Sequence, residues 1–358
     1  MMNYHDLSRY RNELMGMSII MVILFHVGGM RHDTLWLCLS RCGNIGVDMF
    51  FFFSGIGMWF AWTKSRQTGY RKVLSFFRRR YLRIYPVWLV TACAYYIPRY
   101  CDGRMTLPDT LLDIAVNWGF WHHCELAFWF IPAIMMLYTV APAYITLICR
   151  HRSWRWMPVV AMMLCVMLQY LQPLNSALGH LEIFVSRIPI FLLGINAGER
   201  VMERRPIDPS ARWMMLLTLV MGIIICVNFE NGLRGRFPLF LERMVYIPMT
   251  VSMSLLLCRL FALADAENTG TAPWVSRATG MTNRALAFTG GVSLEIYLVH
   301  YQFVIVPFHL RSLSYWPKAF ATLAIAIPAA WVLHKVVGHV VRKLELIQEL
   351  RGVKELRN

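Results

Sequence analysis

The chain has 358 residues, 57% of them hydrophobic and only 16% charged, with a mean hydropathy of +0.46. A soluble domain cannot cover that much apolar surface, so the composition points to a membrane protein with many spans. The net charge of +16 does not indicate nucleic acid, because the basic residues gather between apolar runs, as they do when they orient a chain in a bilayer.

The first apolar run, RNELMGMSIIMVILFH, begins at Arg11 and ends on His26. No small-residue cleavage signal follows it, so it is expected to be retained as a span. Segments of membrane-crossing length follow at about 13–30, 44–62, 84–98, 126–148, 156–172, 182–198, 213–228, 240–262, 286–308 and 319–340. The segment 110–123 is short and carries Asp113, Asn117, His122 and His123, which fits a re-entrant or surface segment better than a span. Counting it as a span would turn the basic clusters of the second half outward. The expectation is therefore an all-α bundle of about ten transmembrane helices, with both termini cytoplasmic.

A single transmembrane domain is expected over 1–340. A polar linker, 263–285, precedes the last two spans, and a cytoplasmic amphipathic tail occupies 341–358. The nine cysteines form no CxxC pair and no zinc spacing, so no metal site is expected. Cys38 with Cys42, and Cys101 with Cys124, fall in outside loops, where disulfides and free thiols both remain open.

Ionisable groups inside the spans carry the functional signal, because hydrocarbon cannot solvate them. Counting about 1.5 Å per residue puts His26 about 20 Å into a layer of about 30 Å. Asp48, Arg187 and His300 fall at a similar level, with Tyr297 a turn below His300, and Glu125 and Trp129 flank the start of the fourth span. A histidine beside a carboxylate can take a proton from a hydroxyl, and an arginine can stabilise an oxyanion. Asp48 can also be read as an interface charge, Glu125 as interfacial, and Tyr297 and Trp129 as members of an aromatic belt. In the basic loop 64–83, Arg80 and Arg83 share one helical face at the mouth of the third span, an arrangement suited to phosphates.

Six stretches in order, RNELMGMSIIMVILFH, GNIGVDMFFFFSGIGMWF, FRRRYLRIYP, FWFIPAIMMLYTVAP, SRIPIFLLGINAGE and GVSLEIYLVH, resemble the acyltransferase type 3 family of bacterial multi-span membrane enzymes. The resemblance implies transfer of an acyl group, usually acetyl from acetyl-CoA, to a hydroxyl of a cell-surface or lipid-linked glycan at the inner membrane. Acyl-CoA is then a co-substrate, and no cofactor is held. The resemblance gives His26 the catalytic role and gives Arg80 and Arg83 the CoA phosphates. Asp48 is a candidate partner of His26, and Arg187, Tyr297, His300, Glu125 and Trp129 are candidates for the acceptor or the oxyanion. The family has Arg or Lys eleven positions before this histidine, where this chain has Met15; Arg11 lies one turn earlier on roughly the same face. A proton-coupled secondary transporter is the alternative that uses the same buried charges. A membrane scaffold or receptor leaves those charges unexplained.

Overall fold

A computed structural model describes residues 2–28, 40–229, 239–265, 273–308 and 313–355. Within them the backbone is helical almost throughout, and the β pairing is a single bridge between Asn3 and Pro206. The main helices are α1 (Arg11–Gly28), α2 (Ile45–Thr63), α3 (Gly69–Cys101), α4 (Leu107–Val116), α5 (Trp118–His123), α6 (Phe130–Arg150) and α7 (Met157–Tyr170). They continue with α8 (Ile188–Met202), α9 (Ala211–Asn228), α10 (Leu239–Asp265), α11 (Pro273–Gly291), α12 (Ser293–Val299) and α13 (Tyr315–Glu355).

Among the described residues, six helical segments are long and apolar enough to cross a membrane: Arg11–Gly28, Cys42–Thr63, Phe130–Arg150, Ala211–Asn228, Arg243–Ala264 and Tyr315–Lys343. A seventh is formed if Arg152–Tyr170 and Asn175–Val185, bent by 105° at their junction, make one broken span. The other expected spans take a different form. Residues 84–98 lie inside the 33-residue α3, whose first half is strongly basic. The stretch 182–198 breaks at Ser186–Arg187, and 286–308 breaks between α11 and α12 and then passes into a π-helical turn, His300–Ile305. Two of these interruptions fall on Arg187 and His300, ionisable groups that an unbroken lipid-facing helix could not present to partners.

The polar segment 110–123 folds as α4 and α5, separated by Asn117 in the left-handed conformation at φ +51°. The expected linker 263–285 is helical over much of its length. Pro273 opens α11, the position where its fixed φ and missing N–H cost nothing. Residues 341–355 continue α13 without a break; 341–350, VRKLELIQEL, contains neither Gly nor Pro. Residues 356–358 lie outside the described residues, as do Cys38, the loop basic residues Arg31, Arg234, Arg236 and Arg311, and 266–272 of the linker. Cys101 and Cys124 are free thiols.

Close backbone approach joins the helices that carry the site. Where α2 crosses α8, a Cβ on Gly55 would stand 2.3 Å from the Phe191 carbonyl, and one on Gly194 would stand 2.2 Å from that of Phe52. No side chain larger than hydrogen fits there. Helices packed by dispersion inside a membrane use such small-residue contacts because lipid gives no hydrophobic incentive to associate. Gly16 and Gly290 bring α1 onto α11 in the same way. This core aligns α1, α2, α8 and α12 around the ionisable groups.

Candidate active site

The helix α1 carries Arg11 near one end and His26 near the other, fifteen residues or about 22 Å apart along its axis. Each end opens into its own cavity. The smaller, of about 70 Å³, is lined by Arg11, Met15, Gly57, Arg80, Arg83 and Tyr138 among others, and Tyr297 closes one side. The larger, of about 480 Å³, contains His26, His300, Tyr301, Gln302, Asn44, Arg41, Arg243 and Trp129, and Tyr297 lines it too. Tyr297 therefore belongs to both walls. Its hydroxyl accepts a hydrogen bond from the backbone N–H of Phe130 at 3.2 Å, which fixes the ring between the two spaces.

The partner of His26 is His300. Nε2 of His300 stands 3.2 Å from Nδ1 of His26, with ring centroids 5.0 Å apart. The surrounding carbonyls assign the protons. Nδ1 of His300 lies 3.0 Å from the Ile296 carbonyl and 2.8 Å from that of Tyr297, both acceptors only, so it carries the hydrogen. In the neutral ring Nε2 of His300 then accepts from Nδ1–H of His26, which also points at the Val22 carbonyl at 2.9 Å. This tautomer, assigned from the bonding network, leaves Nε2 of His26 with a free lone pair. The π-helical turn that begins at His300 brings His300, Tyr301 and Gln302 in succession onto the cavity wall. Such turns recur at functional sites because they redirect side chains within a helix.

Asp48 does not reach His26; its partner is Arg187. Nη1 of Arg187 donates to both carboxylate oxygens, at 3.0 and 3.1 Å, and Nη2 donates to Oδ1 of Asn44 at 3.0 Å. Both side chains are completely buried. Asn44 and Asp48 sit one turn apart at the start of α2, and Arg187 precedes the first turn of α8, so the pair clamps two helix ends. This pair forms because each charge lacks water and finds its counterion in the other. A second pair, Arg243 with Glu182, lies close enough for the two to influence each other electrostatically.

The arginines predicted as a group do come together. Arg80 and Arg83 share the smaller cavity with Arg11, and Nη2 of Arg80 donates to the Gly57 carbonyl at 3.0 Å. Met15 lines the same space, so the basic group one turn below it, Arg11, reaches the cavity that Met15 does not charge.

Glu125 lies apart from His26. It lines a third cavity of about 540 Å³ with Asp109, Asp113, His122, His123 and Trp118. Burial first, and then the neighbouring Asp113 charge, raise its pKa above the usual carboxylate range. The segment after it is tightly held: Nδ2 of Asn117 donates to the Ala127 carbonyl at 2.9 Å while Oδ1 accepts from the Tyr96 hydroxyl at 3.0 Å. Phe128 takes φ +57°, a strained value for an aromatic residue. That turn seats Phe128 and Trp129 at the mouth of the larger cavity, where Trp129 stacks on Phe51 at 6.2 Å.

Several residues of the site were not singled out from the sequence. Arg243 was legible only as a second cation within an apolar run. Asn44, Tyr301 and Gln302 gave no signal, because each is an ordinary polar or aromatic residue until the fold turns it inward. Glu295, buried in the GVSLEIYLVH stretch, pairs with His334 of α13 at 2.6 Å. Among the described residues no three His, Cys, Asp or Glu side chains are arranged to hold a metal ion.

With helical structure almost throughout the described residues, several of its helices of membrane-crossing length, and two cavities that share Tyr297, the chain is a multi-pass membrane protein. The acyltransferase domain model matches residues 14–335, nearly the whole chain. The chain belongs to the acyltransferase type 3 family and is an acyltransferase of that kind. No curated protein and no solved structure matches it.

Proposed function

We propose that this protein is an inner-membrane O-acyltransferase that moves an acyl group, acetyl in the simplest case, from acyl-CoA to a hydroxyl of a cell-surface or lipid-linked glycan. The observation that carries the reading is the pair of cavities meeting at Tyr297, with guanidinium groups in one and the His26–His300 pair in the other.

Acyl-CoA enters from the side of Arg11, Arg80 and Arg83, whose forks suit phosphate oxygens. The separation of about 22 Å between Arg11 and His26 is a span for the donor's long arm rather than for its phosphates. The thioester then reaches the partition at Tyr297, and the acceptor occupies the larger cavity. Nε2 of His26 takes the proton of the acceptor hydroxyl as that oxygen attacks the thioester carbon. The tetrahedral intermediate collapses by breaking the C–S bond, and the proton on His26 passes to the departing CoA sulfur. The products are the ester and free CoA. His300 holds the reactive tautomer and shares the imidazolium charge in the middle of the reaction. Asp48 and Arg187 act on this site indirectly, by holding α2 and α8 together.

The reading is tested with purified protein in nanodiscs, acetyl-CoA and a hydroxylated glycan acceptor. Acceptor-dependent release of CoA, abolished in His26→Ala while CoA binding survives, is the expected outcome. Uptake of a solute into proteoliposomes driven by a proton gradient, with no CoA release, would instead establish the transporter alternative.

A further inference from the structure

The larger cavity has an uneven charge. Among the described residues its lining includes two guanidinium groups, Arg41 and Arg243, the amides of Asn44 and Gln302, and the His26–His300 pair, but no carboxylate. The third cavity, by contrast, is lined by Asp109, Asp113 and Glu125. A concave space that presents guanidinium groups and, among the described residues, no carboxylate favours a ligand that brings negative charge.

Arg243 is the group best placed to use that charge. It rises from α10 with its side chain 13% exposed, and its Nε donates to Glu182, itself 17% exposed. Glu182 lies behind Arg243, outside the cavity lining. The two terminal nitrogens of Arg243 make no hydrogen bond among the described residues, so four N–H donors remain. Holding one edge of the guanidinium with a carboxylate fixes the orientation of the other edge in advance. That reduces the ordering lost when an anion is gripped by two parallel N–H groups. A solely structural ion pair has no need to present its cation to a cavity of about 480 Å³.

We infer that Arg243 is an anion receptor for the acceptor, gripping a phosphate or carboxylate group on the molecule whose hydroxyl faces His26. This rests on the larger cavity being the acceptor's. The smaller cavity has its own arginines for the donor phosphates, so the two anion sites are separate. Arg243 would then select acceptors by charge, rejecting neutral sugars that could otherwise fit.

Binding to the full-length protein in zwitterionic-lipid nanodiscs tests this, with two matched pairs of probes measured by calorimetry. Farnesyl phosphate is compared with farnesol, and methyl glucuronide with methyl glucoside. At least one anionic probe should bind tenfold or more tightly than its neutral counterpart. The phosphate arm alone would indicate a lipid-linked acceptor, and the carboxylate arm alone an acidic sugar. Arg243→Gln should abolish the preference, Arg243→Lys should keep part of it, and Arg83→Gln should leave it intact. CoA affinity should be unchanged in Arg243→Gln, which separates this inference from the donor site. Equal binding of charged and neutral probes by the unmodified protein would overturn the inference, even if Arg243→Gln failed to assemble. So would a preference that survives in Arg243→Gln. Neither result would touch His26-dependent transfer, which fails or stands by CoA release alone.

Discussion

Replacing Asp48 with Ala isolates the part played by the buried ion pair. The substitution removes both acceptors of Arg187 Nη1, at 3.0 and 3.1 Å, and leaves a guanidinium with no solvent exposure bound, among the described residues, to Asn44 alone. The Nε of Arg187 already has no hydrogen-bond partner among the described residues. Breaking one side of a buried pair strands the other charge, a loss of about 3–5 kcal/mol. Removing both charges strands neither, so Asp48→Leu with Arg187→Met should recover most of that loss. Reversible unfolding by SDS titration in mixed micelles reads the free energies, and a loss insensitive to added salt would agree with a pair out of reach of solvent ions. The reasoning fails if Asp48→Ala loses less than about 1 kcal/mol, the range of an exposed pair. It fails equally if the double variant is as unstable as the single one.

Three further outcomes follow from the same geometry. Arg80→Gln and Arg83→Gln should each weaken acyl-CoA binding about tenfold, near 1.4 kcal/mol, while leaving the rate at saturating donor largely unchanged; steady-state kinetics against acetyl-CoA separates the two effects. His300→Phe removes the imidazole acceptor of His26 Nδ1–H and leaves only the Val22 carbonyl, so it should lower kcat more than it raises KM and should shift the pH profile of kcat. A structural loss alone would leave the profile in place. Glu125→Gln should stabilise the protein at neutral pH. A carboxyl whose folded pKa is raised opposes folding once pH rises above its unfolded value, so the gain should vanish in acid, where both forms are neutral; unfolding at pH 4 and pH 8 compares them.

The sequence reading reached some parts of this site and not others, for physical reasons. A histidine deep in an apolar run is visible because hydrocarbon penalises it, and Arg80 and Arg83 are visible because helical spacing puts them on one face. Depth, however, fixes a level in the membrane and says nothing about direction around the bundle. Asp48 and His26 fall at the same level, yet the close α2–α8 crossing at Gly55 and Gly194 turns Asp48 toward Arg187. His26 faces His300 instead, through a π-helical turn that no periodicity announces. Hydropathy also counts an apolar run as one span whether or not its backbone is broken, so 182–198 and 286–308 read as continuous. At Met15 the sequence shows only a missing charge. The fold supplies Arg11 to the same cavity from one turn below.

The central claim is a His26-dependent ester on a surface glycan. It is tested most directly by NMR of glycans from cells that lack this protein, complemented with the unmodified chain or with His26→Ala at matched membrane abundance. O-acyl signals restored by the unmodified chain and missing with His26→Ala would bear the account out. Equal O-acylation with both chains would contradict it.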